Sequence, residues 1–187
     1  MPFAHNGGMT TRFLSLLLIA LLLSTGCAGN ATRGEAAGAT FVVVRHAEKA
    51  SDTGRDPDLS AAGLARAQRL AATLAGAGIV AIYTTDYRRT RQTVQPTAEA
   101  MRVEATVYDA SEPPDAFAAR LKAAHETGTV LVAGHSNTVP DIVAALCACS
   151  VEPMPETEYD RLSTIRIAPD GRATLEVARY GTPAHSP

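Results

Sequence analysis

Three runs of apolar residues divide the chain: Phe41-Val42-Val43-Val44, Ile79-Val80-Ala81-Ile82-Tyr83 and Thr129-Val130-Leu131-Val132-Ala133. Each is continuous rather than alternating and rich in β-branched residues, the pattern of a strand buried on both faces of a parallel sheet. Ala105 to Val107 predicts a further short strand. Helical spacing fills the intervals. From Ser60 to Gly76 the residues Leu64, Ala67, Leu70, Ala71 and Leu74 define one apolar face, with Ser60 as N-cap and Gly76 and Gly78 as stops. Further helices are expected over Tyr87 to Met101, bent or restarted at Pro96, over Pro114 to Thr127, and over Val139 to Cys149. Leu162 to Ala168 and Ala173 to Tyr180 read as an antiparallel hairpin turning at Pro169-Asp170-Gly171. The expected fold is α/β: a single three-layer domain with a mostly parallel central sheet, helices on both faces and a C-terminal hairpin.

The first residues follow another pattern. Thr10-Thr11-Arg12 precedes the apolar run Phe13 to Leu23, and Ser24-Thr25-Gly26 then leads to Cys27. This run is shorter than the roughly 20 residues that span a bilayer, and its basic flank and small-residue exit fit an export signal over residues 1–27. Its end resembles a bacterial lipoprotein cleavage box, with Ser24 where Leu is usual, which makes Cys27 the candidate lipidation site. Met9 is a second candidate start, and a permanent, uncleaved anchor is the alternative. Residues 28–39, Gly- and Ala-rich, read as a flexible tether, and the catalytic-size domain as residues 40–182. The expected location is the periplasmic or cell-envelope side of the membrane, with the lipid at Cys27 as the membrane contact.

Composition narrows the partner. A net charge of -2 and 5% aromatic residues leave neither a basic footprint nor stacking platforms for nucleic acid, so a small molecule is the expected ligand. Cys147 and Cys149 have no second ligand pair and so no zinc pattern. A local disulfide is conceivable in an oxidising compartment. Two thiols at a helix end are the favoured reading, because residues two apart on a helix do not face each other.

Arg45-His46, the Thr84 to Arg91 segment and Gly134-His135 each follow a strand candidate, where α/β sheets gather ligands. A crevice lined by arginine forks and imidazoles suits a phosphoryl group: the guanidinium matches its oxygens, and neutral imidazole can attack phosphorus. No metal or cofactor is expected.

These residues resemble the histidine phosphatase superfamily, branch one, the phosphoglycerate-mutase-like group. Val44-Arg45-His46-Ala47-Glu48-Lys49 is similar to its Arg-His motif, and Leu59-Ser60-Ala61-Ala62-Gly63-Leu64 to the segment opening its first helix. Thr85-Asp86-Tyr87-Arg88-Arg89-Thr90-Arg91-Gln92-Thr93 resembles the motif of its second arginine, and Gly134-His135-Ser136-Asn137 that of its second histidine. The resemblance implies a phosphatase acting on small phosphate monoesters, with His46 as nucleophile and Arg45, Arg89 and His135 holding the phosphoryl oxygens. For the general acid it points to Asp109, with Glu112 and Asp141 as alternatives. Glu48 and Lys49 are expected at the crevice rim, paired with each other or touching substrate. A phosphoglycerate-type mutase and a non-catalytic phosphate-binding module are the alternative functions. Oligomeric state and physiological substrate are not legible in the sequence.

Overall fold

In a computed structural model of the protein, the residues described are 38–51 and 54–182. The export signal, Cys27 and nearly all of the tether lie outside them. Six strands form one sheet: β1 (Ala39–Arg45), β2 (Ile79–Thr84), β3 (Ala105–Val107), β4 (Gly128–Gly134), β5 (Arg161–Ile167) and β6 (Ala173–Arg179). Their order is β3-β2-β4-β1-β5-β6. The first four run parallel, and β5 and β6 form the antiparallel hairpin at one edge. Gly171 turns that hairpin at φ 84°, a left-handed conformation that costs glycine little.

The continuous apolar strands bury alternate side chains in two cores. Phe41 and Val43 of β1 with Val130 and Val132 of β4 pack under helices α3 (Pro114–Ala124) and α4 (Val139–Cys147), against Phe117, Leu121, Ile142 and Leu146. Val42, Val44, Leu131 and Ala133 face the other way, against Leu70 and Val94 of α1 (Ala61–Thr73) and α2 (Arg88–Met101). Each such fully buried side chain contributes about 1.5–3 kcal/mol of hydrophobic stabilisation, so β1 and β4 form the rigid centre from which the site loops depart.

α1 starts as its sequence predicts. The Ser60 hydroxyl accepts from the Gly63 N–H at 3.1 Å. Gly63 is required for packing: a Cβ there would lie 2.2 Å from the Glu48 carbonyl oxygen. The close approach seats α1 directly on the segment that follows His46.

Four details differ from expectation. Leu64 is 52% exposed, and the inward position belongs to Arg66, buried against Glu48. α2 continues through Pro96 rather than restarting there. α3 ends at Ala124, because His125 turns to extended backbone. Finally, Cys147 and Cys149 are joined by a disulfide rather than standing as two helical thiols. The helix geometry that keeps i and i+2 apart stops at Cys147. Ala148 adopts the left-handed conformation, φ 52° and ψ 42°, and swings Cys149 back toward its neighbour.

Candidate active site

Strand register brings the two histidines together. Arg45 on β1 pairs with Gly134 on β4, so His46 and His135 are the next residues on neighbouring parallel strands about 4.8 Å apart. Their ring centroids are 5.4 Å apart in an edge-on arrangement. The His46 N–H donates to the Gly134 carbonyl at 2.9 Å, which ties the two loops to each other.

His46 is buried, and its Nδ1 lies 2.7 Å from the Ala47 carbonyl. A carbonyl only accepts, so Nδ1 carries the proton and Nε2 keeps its lone pair. The loop holding this geometry is fixed in turn by the Thr93 hydroxyl on α2, which accepts from the Ala47 N–H at 2.9 Å. Burial, with the charges of Arg45, His135 and Arg89 acting in the same direction against the Ala47 hydrogen bond, lowers the His46 pKa to about 3. The imidazole is therefore neutral throughout the physiological range, as a nucleophile must be.

His135 is held by a chain of hydroxyls. Its Nε2 lies 3.1 Å from Thr85 Oγ1, which lies 2.7 Å from Thr90 Oγ1, which donates to the Tyr87 carbonyl at 2.8 Å. With the Thr90 proton spent on a carbonyl, Thr85 donates to Thr90 and accepts from His135, so Nε2 bears the hydrogen. Burial first, then Arg89 and Arg45, lower the His135 pKa to about 4.

The two arginines are positioned differently. Arg45 is almost wholly buried: one terminal nitrogen donates to the carbonyls of Pro155, Glu156 and Glu158, and the other reaches a Glu156 carboxylate oxygen at 2.7 Å. Its Nε–H is buried with no hydrogen-bond partner among the described residues. Arg89 lies 4.3 Å over the Tyr87 ring, with Asp56 3.6 Å away. Its neighbours are committed elsewhere, Arg88 to Asp58 and Arg91 to Asp86, so Arg89 alone of the three enters the pocket. The pocket, about 300 Å³, is lined by Arg45, His46, Arg89 and His135 together with Lys49 and Glu156.

None of the expected acids lines it. Asp109 is fully exposed, and the backbone N–H and then the hydroxyl of Ser111 hold its pKa below the ordinary carboxylate value. Glu112 pairs with Arg120, and Asp141 faces a neighbouring depression. The carboxylate that does line the pocket is Glu156, in the loop between α4 and β5. It accepts from the Ser136 hydroxyl at 2.5 Å, and this bond, followed by Arg45 and Lys49, lowers its pKa against the opposing effect of its partial burial. Nothing in the Pro-rich sequence around Glu156 marked it. Tyr159, 4.2 Å beneath the Arg45 guanidinium, was equally silent. Glu48 does not pair with Lys49 but holds Arg66, which also donates to the Tyr180 and Thr182 carbonyls. Among the described residues no group of three or more His, Cys, Asp or Glu is arranged to hold a metal ion.

The sequence model of the histidine phosphatase superfamily (branch 1) matches residues 41–112, which include Arg45, His46 and Arg89. Over that stretch the chain is similar to the superfamily. Solved structures of histidine phosphatases and related enzymes superpose on it. The protein histidine phosphatase SixA complexed with tungstate aligns with a TM-score of 0.60 at 20% identity, covering 75% of this chain and 96% of that one. A mycobacterial glucosyl-3-phosphoglycerate phosphatase gives 0.58 at 18% identity, covering 76% and 99%. A phosphoserine phosphatase from Entamoeba histolytica gives 0.55 at 13%, covering 77% and 98%. At these identities the likeness establishes the histidine phosphatase fold. No curated protein matches the chain significantly by sequence.

Proposed function

We propose that the protein is an exported phosphatase that hydrolyses phosphate monoesters through a phosphohistidine on His46. The observation that carries this reading is the protonation pattern of His46: Nδ1–H is committed to the Ala47 carbonyl, and Nε2 keeps a lone pair in a pocket with Arg45, Arg89 and His135. In the first step Nε2 attacks phosphorus in line with the leaving oxygen, the P–O bond breaks, and the oxygen departs as an anion that takes its proton from solvent. In the second, water attacks the phosphohistidine and phosphate leaves. The Arg45 and Arg89 guanidiniums compensate charge on the equatorial oxygens in both steps. His135, its Nε2–H held by Thr85, contributes through Nδ1, which becomes a donor when an entering phosphoryl dianion draws a proton onto the ring.

Glu156 is kept ionised by Ser136 and Arg45, so it is not the source of a leaving-group proton. Esters whose leaving groups need little protonation, such as aryl phosphates, are the favoured substrates. Export and lipid attachment at Cys27 complete the proposal, with a small phosphorylated substrate met outside the inner membrane. Purified protein should hydrolyse an aryl phosphate, and His46→Ala should abolish this. Absence of turnover by the wild type would refute the enzymatic reading. For anchoring, Cys27→Ser should release the domain from membranes, whereas a wild type that fractionates as soluble, without lipid, would contradict it.

A further inference from the structure

The disulfide between Cys147 and Cys149 takes no part in the phosphatase pocket, with which its surroundings share no residue. Three features bear on its chemistry. The loop it closes holds a single residue, so little chain entropy protects it from reduction. Cys149 is exposed and lines the surface depression, whereas Cys147 is buried at 8% and does not, so Cys149 is the more accessible of the two to an attacking group. The reduced state is also provided for, because Cys147 Sγ lies 3.6 Å from the Ala144 carbonyl, which can accept from its thiol. Cys149 opens onto a depression of about 700 Å³ lined by Pro114, Asp115, Asp141 and Ala144.

We infer that the Cys147–Cys149 disulfide is a thiol-exchange site, entered at Cys149 and selective for cationic thiols. A thiolate attacks Cys149 Sγ, the protein S–S bond breaks, and its electron pair leaves on Cys147 Sγ, which takes up the proton released by the incoming thiol. A second thiol then attacks the outer sulfur of the mixed disulfide and frees Cys149. Two thiols are thereby oxidised to one disulfide, and the protein disulfide is reduced to two thiols. Selectivity comes from charge. Asp115 and Asp141 line the approach, and the carboxyl end of α4, with its partial negative charge, terminates at the disulfide. Lys122, whose ammonium is held by the Ala145 carbonyl at 3.0 Å, is not itself among the lining residues, so the two carboxylates are the charged side chains that face the depression.

The test uses the full chain carrying Cys27→Ser, so that no other cysteine reacts. Cysteamine, 2-mercaptoethanol and mercaptoacetate are compared in low salt, each rate divided by that thiol's rate with a small neutral disulfide. The normalised rate should fall in that order, by on the order of tenfold from cationic to anionic thiol, and Asp115→Asn with Asp141→Asn should flatten the series. Mass spectrometry after acid quenching should locate the first adduct on Cys149, and Cys147→Ser should still accept it from an oxidised thiol. A disulfide that reacts only after unfolding in urea, an adduct on Cys147, or a charge series unaltered by the two Asn substitutions would overturn the assignment.

Discussion

Lowering the pH should destabilise the protein through the two site histidines well before its carboxylates protonate. His46 titrates at about 3 and His135 at about 4 in the folded chain, against an ordinary 6.5 when unfolded. The unfolded chain therefore binds protons that the folded chain refuses. Stability is full above the unfolded value and drains away as the pH falls below it, until the folded values are reached. Between about pH 7.5 and about pH 5 each unfolded imidazole gains about 2 kcal/mol of protonation free energy, a loss of about 4 kcal/mol for the pair. Both rings are buried, so little solvent screening reduces this figure. Urea unfolding in phosphate-free buffer at the two pH values measures it, with His46→Gln/His135→Gln as the control that removes both imidazoles and leaves every carboxylate in place. The pH-dependent loss should be about 4 kcal/mol larger in the wild type than in the control. Equal losses would mean that the histidines are not held neutral by the fold, and the lone pair assigned to Nε2 of His46 would lose its basis.

Three further outcomes follow from the same geometry. Glu156→Gln removes the negative charge that shares the pocket with the phosphate site, so inorganic phosphate should inhibit about fivefold more strongly at low salt, an advantage that fades as salt is added; weaker inhibition would show that the carboxylate assists binding. Arg66→Met leaves Glu48 without its buried partner and orphans the Tyr180 and Thr182 carbonyls, which should cost about 3 kcal/mol in denaturant unfolding; a loss below about 1 kcal/mol would contradict the structural role given to that ion pair. In the proposed mechanism an imidazole is the nucleophile and arginine meets the charge on phosphorus, so hydrolysis of an aryl phosphate should persist in EDTA; loss of activity restored by a divalent ion would contradict the proposal.

The sheet was legible because β1 and β4 are buried on both faces, and no other environment so readily accepts Phe41 to Val44 or Val130 to Ala133. Placing a histidine at the end of each was enough to bring the two rings together, since parallel neighbours share a register. Arg89 was legible through its motif, although only the structure shows Arg88 and Arg91 turned to Asp58 and Asp86. Glu156 and Tyr159 were not, because a loop returning from α4 to β5 carries no periodicity, and what brings it to the site is the distant Arg45 binding its carbonyls. The attention given to Asp109 has the converse origin: a carboxylate just past a strand end is near the crevice in sequence, yet Ser111 holds it on the outside. Helix periodicity misjudged Leu64 and Arg66 for one reason, the Glu48 carboxylate beneath α1, which makes an inward arginine more stable than an inward leucine. The cysteine pair was misread because a helix was carried through Ala148, where the backbone had already turned left-handed.

The most direct test of the account is to find the phosphoryl group on the protein. Wild type mixed with labelled aryl phosphate and quenched within milliseconds should carry an acid-labile, base-stable adduct on His46. It should be absent from His46→Ala and should remain on His46, forming more slowly, in His135→Ala. Label on His135, or full turnover by His46→Ala, would contradict the central claim.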